Sequence, residues 1–69
     1  MDIPTKIKLA ETYAKVSEAA LARKLGTTSQ AFGQRMKNGK FKTSELEAIA
    51  DALGCEFVAE FRFPDGTVI

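Results

Sequence analysis

Apolar positions recur every three or four residues as far as Gly54 and every second residue after it, so the pattern predicts a run of helices followed by a strand. Ile3, Ile7, Ala10 and Ala14 predict a first helix over residues 4–16, with Leu9, Tyr13 and Val16 widening its apolar face. Pro4 suits the first turn, and Asp2 or Thr5 supplies the cap. Tyr13 is assigned to the core on this pattern. Ser17 is a favoured N-cap for a second helix, Glu18 to Leu25, and Glu18 suits the positive end of the helix dipole. Leu21, Ala22 and Leu25 face inward together, and the small Ala22 lets a neighbouring helix approach closely. Gly26 stops this helix, because the left-handed conformation required there strains any side chain. Thr27 makes the turn and Thr28 caps a third helix, Ser29 to Asn38.

At 100° per residue the third helix is two-sided. Phe32 and Met36 share one side with Ser29 and Gly33, while Gln30, Gln34, Lys37 and Asn38 gather opposite, with Arg35 on a flank. Gly33 costs a helix about 1 kcal/mol relative to alanine, and its position beside the apolar stripe leaves two readings, close approach of another backbone or simple tolerance. Asn38-Gly39-Lys40 is a turn. Thr43 or Ser44 caps a fourth helix, and Ser44 with Glu47 matches a capping box. Leu46, Ile49, Ala50 and Leu53 form its core stripe, Glu45, Glu47 and Asp51 an acidic exterior, and Gly54 its end. Cys55, Phe57, Ala59, Phe61 and Phe63 then alternate with Glu56, Val58, Glu60 and Arg62, which predicts a half-buried strand. Pro64-Asp65-Gly66 is a turn signal, and Thr67-Val68-Ile69 begins a returning strand. The expected class is mainly α with a small C-terminal β-hairpin, in one domain of 69 residues.

Composition narrows the chemistry. A domain this small has a modest core, which a second chain can supplement. There is no histidine, which removes the commonest general base and transition-metal ligand. A single cysteine, Cys55, forms neither a disulfide framework nor a zinc site, and reads as a small buried apolar residue. No phosphate loop, dinucleotide fingerprint, membrane-length apolar run or signal-peptide core is present. The expectation is a non-enzymatic protein without cofactor or metal, in the cytoplasm and not in a membrane. The net charge of +1 conceals a strong asymmetry. Residues 23–42 hold Arg23, Lys24, Arg35, Lys37, Lys40 and Lys42 with no acid, whereas residues 43–69 hold six acids against Arg62. A basic middle suggests one face for a polyanion.

That face has the chemistry to read double-stranded DNA. Gln30 and Gln34 lie one turn apart, and a glutamine amide pairs with adenine through N6 and N7. Ser29 pairs with several bases, and the Thr28 methyl can meet a thymine methyl. Arg35, Lys37, Asn38, Lys40 and Lys42 are candidate phosphate contacts, as is Ser17 at the start of the second helix, where free backbone N–H groups point outward. Lys6, Lys8 and Lys15 read as solvated, with one of them a further candidate phosphate contact. Residues 17–38 resemble the helix-turn-helix of the Cro and phage-repressor family, the xenobiotic-response-element-like regulators of bacteria. Leu21, Ala22, Gly26, Thr27, Thr28, Gln30 and Phe32 carry the resemblance. Leu46 to Gly54 is similar to the family's fourth-helix segment, so the likeness spans roughly residues 5–54. It implies a lambda-repressor-like helical domain and sequence-specific DNA binding, usually as a dimer, with Thr28, Ser29, Gln30 and Gln34 reading bases.

Two positions depart from that family. Its second inward apolar residue would fall at Arg35, and Met36 takes that role here. Glu18 stands where many relatives carry a polar residue that holds DNA, and a carboxylate there repels phosphate unless Arg35 or Lys37 pairs with it. The aromatic strand after Gly54 needs covering, since two strands alone are marginal in water. Some relatives dimerise through a C-terminal strand, so Phe57, Ala59, Phe61 and Phe63 are the candidate dimer interface, setting two recognition helices roughly 34 Å apart. The expected function is a Cro-like repressor; the alternative is a protein-interaction module such as an antitoxin-type domain.

Overall fold

The computed structural model describes residues 1–69 and contains four helices: α1 (Ile3–Ala14), α2 (Glu18–Lys24), α3 (Ser29–Asn38) and α4 (Thr43–Leu53). Asp2 caps α1, its Oδ1 accepting from the Thr5 N–H at 2.9 Å. The helix ends at Ala14, two residues before the apolar spacing does, because Lys15 turns left-handed at φ 59°. The N–H groups of Lys15 and Val16 then close back onto the carbonyls of Thr12 and Glu11.

The apolar face of α1 is narrower than its composition suggested. Ile7 is buried and Ile3 and Val16 pack at the core's edge, but Tyr13 is 92% exposed and Leu9 53%. Those two lie on the far flank of the helix, and the core-facing place next to Ile7 is taken by Glu11 instead. Tyr13 is therefore a surface residue, not a core one.

The other three helices pack against α2. Its Leu21 and Ala22 have no exposed surface and sit among Ile7, Phe32, Met36, Leu46 and Ile49. The cap of α4 differs from expectation: Lys42, not Thr43 or Ser44, occupies the N-cap position, and the Glu45 Oε1 reaches back to accept from the Lys42 N–H at 2.7 Å. Gly54, at φ 76°, ends α4 as expected.

The nine-residue strand does not form. After Gly54 the chain runs without a ladder to a single antiparallel bridge, Arg62 with Val68. Phe61 and Ile69 exchange N–H···O bonds of 2.7 and 2.9 Å around the turn at residues 64–66. Residues 55–60 have no strand beside them, and a lone pair of strands gains too little burial to extend. Phe57 packs at the core's edge, but Cys55, Ala59, Phe61 and Phe63 are exposed, which corrects the reading of Cys55 as buried. The segment after Phe57 is thus an arm leaving the helical body. It contributes to a radius of gyration of 13.3 Å and extents of 44 × 24 × 19 Å, against about 11 Å for a compact chain of this length. No helix is long and apolar enough to cross a membrane.

Candidate nucleic-acid interface

The outer face of α3 is positioned from three sides. At its start, the four residues Leu25–Thr28 link it to α2. Gly26 adopts φ 76°, its N–H donates to the Arg23 carbonyl at 3.0 Å, and the Thr27 N–H donates to the Ala22 carbonyl at 3.0 Å. These two bonds satisfy carbonyls that the end of α2 leaves open and fix the direction in which the chain departs. The Thr28 Oγ1 then accepts from the Ala31 N–H at 3.1 Å. On its inner side, Phe32 and Met36 are buried against α2 and α4. At its end, Gly39 turns left-handed, and the Asn38 Oδ1 accepts from the Lys40 N–H at 2.9 Å.

This leaves Ser29, Gln30 and Gln34 exposed, with side chains that make no hydrogen bond to the protein. Thr28 is exposed too, but its hydroxyl oxygen is engaged in the cap and only its methyl and hydroxyl proton are free. Ser17 is in the same condition, its Oγ accepting from the Ala20 N–H at 3.1 Å. Asn38 keeps its side-chain NH2 free while its oxygen shapes the turn. Lys37, Lys40 and Lys42 are exposed and form no ion pair. Lys37 and Asn38 also line a shallow basin of about 620 Å³ with Lys8 of α1, which brings one cation from the first helix to the end of the third.

Arg35 does not join this outer set. Its guanidinium pairs with Glu45 of α4 at 2.6 Å, donates to the Lys40 carbonyl at 2.9 Å, and lies 5.2 Å from the centre of the Phe41 ring. Phe41 in turn packs its ring against Phe32, with centroids 6.3 Å apart and tilted by 53°. A charged residue thus does at the edge of the core what an apolar one would do, by laying its planar head on an aromatic face. Arg35 is turned from the phosphate role expected of it, and it does not pair with Glu18. Glu45 is not merely part of a solubilising face: the Lys42 N–H and Arg35 together hold its carboxyl below the usual range. Neither Phe41 nor Glu45 stood out in the sequence. The only signal was the cation at a position that helical periodicity places beside the core.

A second carboxylate is buried on α1. Glu11 is 8% exposed, and its Oε2 has no hydrogen-bond partner. Burial first, and the carboxylate of Glu18 at the start of α2 second, push its pKa up from the ordinary 4.5.

The expected dimer residues divide. Phe57 lies on its own core, whereas Ala59, Phe61 and Phe63 face solvent along the arm. No family model matches this chain, and no curated protein or solved structure matches it with significance.

Proposed function

We propose that the chain is a helix-turn-helix regulator of the Cro and phage-repressor type, which binds double-stranded DNA sequence-specifically as a homodimer with α3 in the major groove. The observation that carries this reading is the unengaged polar face of α3. Ser29, Gln30 and Gln34 project from a helix whose opposite side is buried and whose start is set by a hydrogen-bonded glycine turn. In this reading Gln30 and Gln34 pair with adenines, Ser29 and the Thr28 methyl complete the base contacts, and Lys37, Lys40 and Lys42 clamp phosphates. The Asn38 amide and the Ser17 hydroxyl donate to further phosphates. Arg35 acts indirectly, by tying the end of α3 to α4. Occupying a promoter represses without further machinery, and the target keeps the protein in the cytoplasm. The arm edges pair across a two-fold axis, so the two α3 helices read half-sites about one turn apart.

The decisive experiment is selection of bound duplexes from a randomised pool. A palindromic motif is expected, and a pool that shows no enrichment overturns the reading. The exposed arm favours one other reading, a protein-interaction module of antitoxin type. A shift assay with random duplex at low salt separates the two, since a protein of this second kind leaves the duplex free.

A further inference from the structure

The α3–α4 loop is the short segment Gly39–Lys42, and it carries Lys40 and Lys42, both exposed and without an ion-pair partner. Surface loops are ordinarily more mobile than the helices they join. This one is held at each end and in its middle. The Gly39 N–H donates to the Arg35 carbonyl at 2.9 Å, and the Lys40 N–H to the Asn38 Oδ1 at 2.9 Å. The Lys40 carbonyl accepts from the Arg35 guanidinium at 2.9 Å, and the Lys42 N–H donates to the Glu45 Oε1 at 2.7 Å. The Phe41 side chain meets both the Arg35 guanidinium and the Phe32 ring. Arg35 and Glu45 come from different helices, yet they are also bonded to each other. The Arg35 Nη2 serves both the loop carbonyl and the Glu45 Oε2, while the other Glu45 oxygen takes the loop N–H.

We infer that Arg35 and Glu45 are positioning residues for phosphate binding: together they hold the loop so that Lys40 and Lys42 meet the duplex backbone already in place. Two simpler roles leave part of the arrangement unexplained. Capping α4 accounts for the bond between Glu45 and the Lys42 N–H but not for the bond from Arg35 to the Lys40 carbonyl. Tying α3 to α4 accounts for the ion pair but requires neither bond to the loop. Only a fixed loop uses all three. Charge points the same way. A bare carboxylate beside Lys42 repels phosphate, and pairing with Arg35 offsets it while leaving both lysines unpaired. A loop ordered before binding also loses less freedom on contact, which strengthens association without adding a contact. The inference rests on the DNA-binding reading and adds to it the groups that prepare its phosphate contacts.

The test titrates the full chain, Glu45→Ala and Glu45→Gln against selected and random duplex, well below the melting temperature. Unchanged far-ultraviolet dichroism verifies each fold. Glu45→Gln keeps an oxygen for the Lys42 N–H, so it retains the cap if the alanine variant does not fold. Charge alone predicts tighter binding, since each variant removes an acid from beside the lysines. The inference predicts the opposite sign. Glu45→Ala is expected to weaken binding to both duplexes by about tenfold and to flatten the log–log salt slope by about 1, with Glu45→Gln between it and the wild type. In the free protein, nitrogen-15 relaxation is expected to show lower order parameters at residues 39–42 of Glu45→Ala, with α1 and α2 unchanged. Equal or tighter binding by both variants, or a loss confined to selected duplex, overturns the inference and leaves DNA binding in place. A wild type that binds neither duplex overturns the DNA-binding reading, and the inference with it.

Discussion

Gln34 and Glu11 show how differently two polar residues of one small domain are placed. Gln34 is exposed and bonded to nothing, and on the proposed reading its amide meets a base edge. Gln34→Ala is then expected to weaken binding to selected duplex by about 1–3 kcal/mol while leaving binding to random duplex nearly unchanged, in paired titrations. Equal losses would remove Gln34 from base reading. Glu11 is buried, lacks a partner for Oε2, and faces a second acid. Its folded-state pKa is raised, so the folded protein holds this proton more tightly than the unfolded chain does. The stability contributed by protonated Glu11 is complete below its ordinary value of 4.5 and is lost as pH rises through the raised folded value. Glu11→Gln is therefore expected to raise the melting temperature at pH 7, with the gain disappearing near the ordinary Glu value. Asp2, Glu45 and Asp65, whose pKa values are lowered by backbone and side-chain hydrogen bonds, act in the opposite sense: their contribution is lost as pH falls through the carboxylate range.

Among the elements, α3 carries a weakness with no internal cause. A Cβ built on Gly33 would meet nothing within 4 Å, so no neighbouring backbone of the protein requires a glycine there. Gly33→Ala is expected to stabilise the free protein by about 1 kcal/mol, seen as a rise of about 4–8 °C in melting temperature. Measured beside it, affinity for selected duplex reports whether that flank of α3 touches DNA, since an added methyl at a close approach lowers it. The helices were legible in the sequence because their limits are written in short-range chemistry. Asp2, Ser17 and Thr28 each cap the helix that follows, and Gly26, Gly39 and Gly54 each sit at positive φ past a helix end. The outer face of α3 was legible for a related reason, since one buried stripe, Phe32 with Met36, fixes where every other side chain points. Long-range partners were not legible. Arg35 meets Glu45 and Phe41, Tyr13 misses the core, and residues 55–60 find no strand beside them, and each outcome depends on what stands opposite in space. The early stop of α1 at a left-handed Lys15 was hidden because nothing in lysine marks that conformation.

For the whole molecule, the number of phosphates neutralised on the proposed reading is set by the cations left free. Arg35 is paired with Glu45, while Lys37, Lys40 and Lys42 are not paired. Replacing Lys40 and Lys42 together by alanine is expected to lower duplex affinity uniformly across sequences, and to flatten the log–log salt slope by about 2. A change confined to selected duplex would mean that these lysines do not contact phosphate. The separation of charge between the basic stretch and the acidic residues 43–69 also bears on encounter. A net charge of +1 pulls the protein toward a polyanion only feebly. Opposite charges grouped in different segments of one small domain instead form a dipole, which turns the molecule more than it draws it. With screening over roughly 8 Å in physiological salt, that torque acts in the last few collisions before contact. On the proposed reading, a chain diffusing near a duplex is rotated basic stretch first.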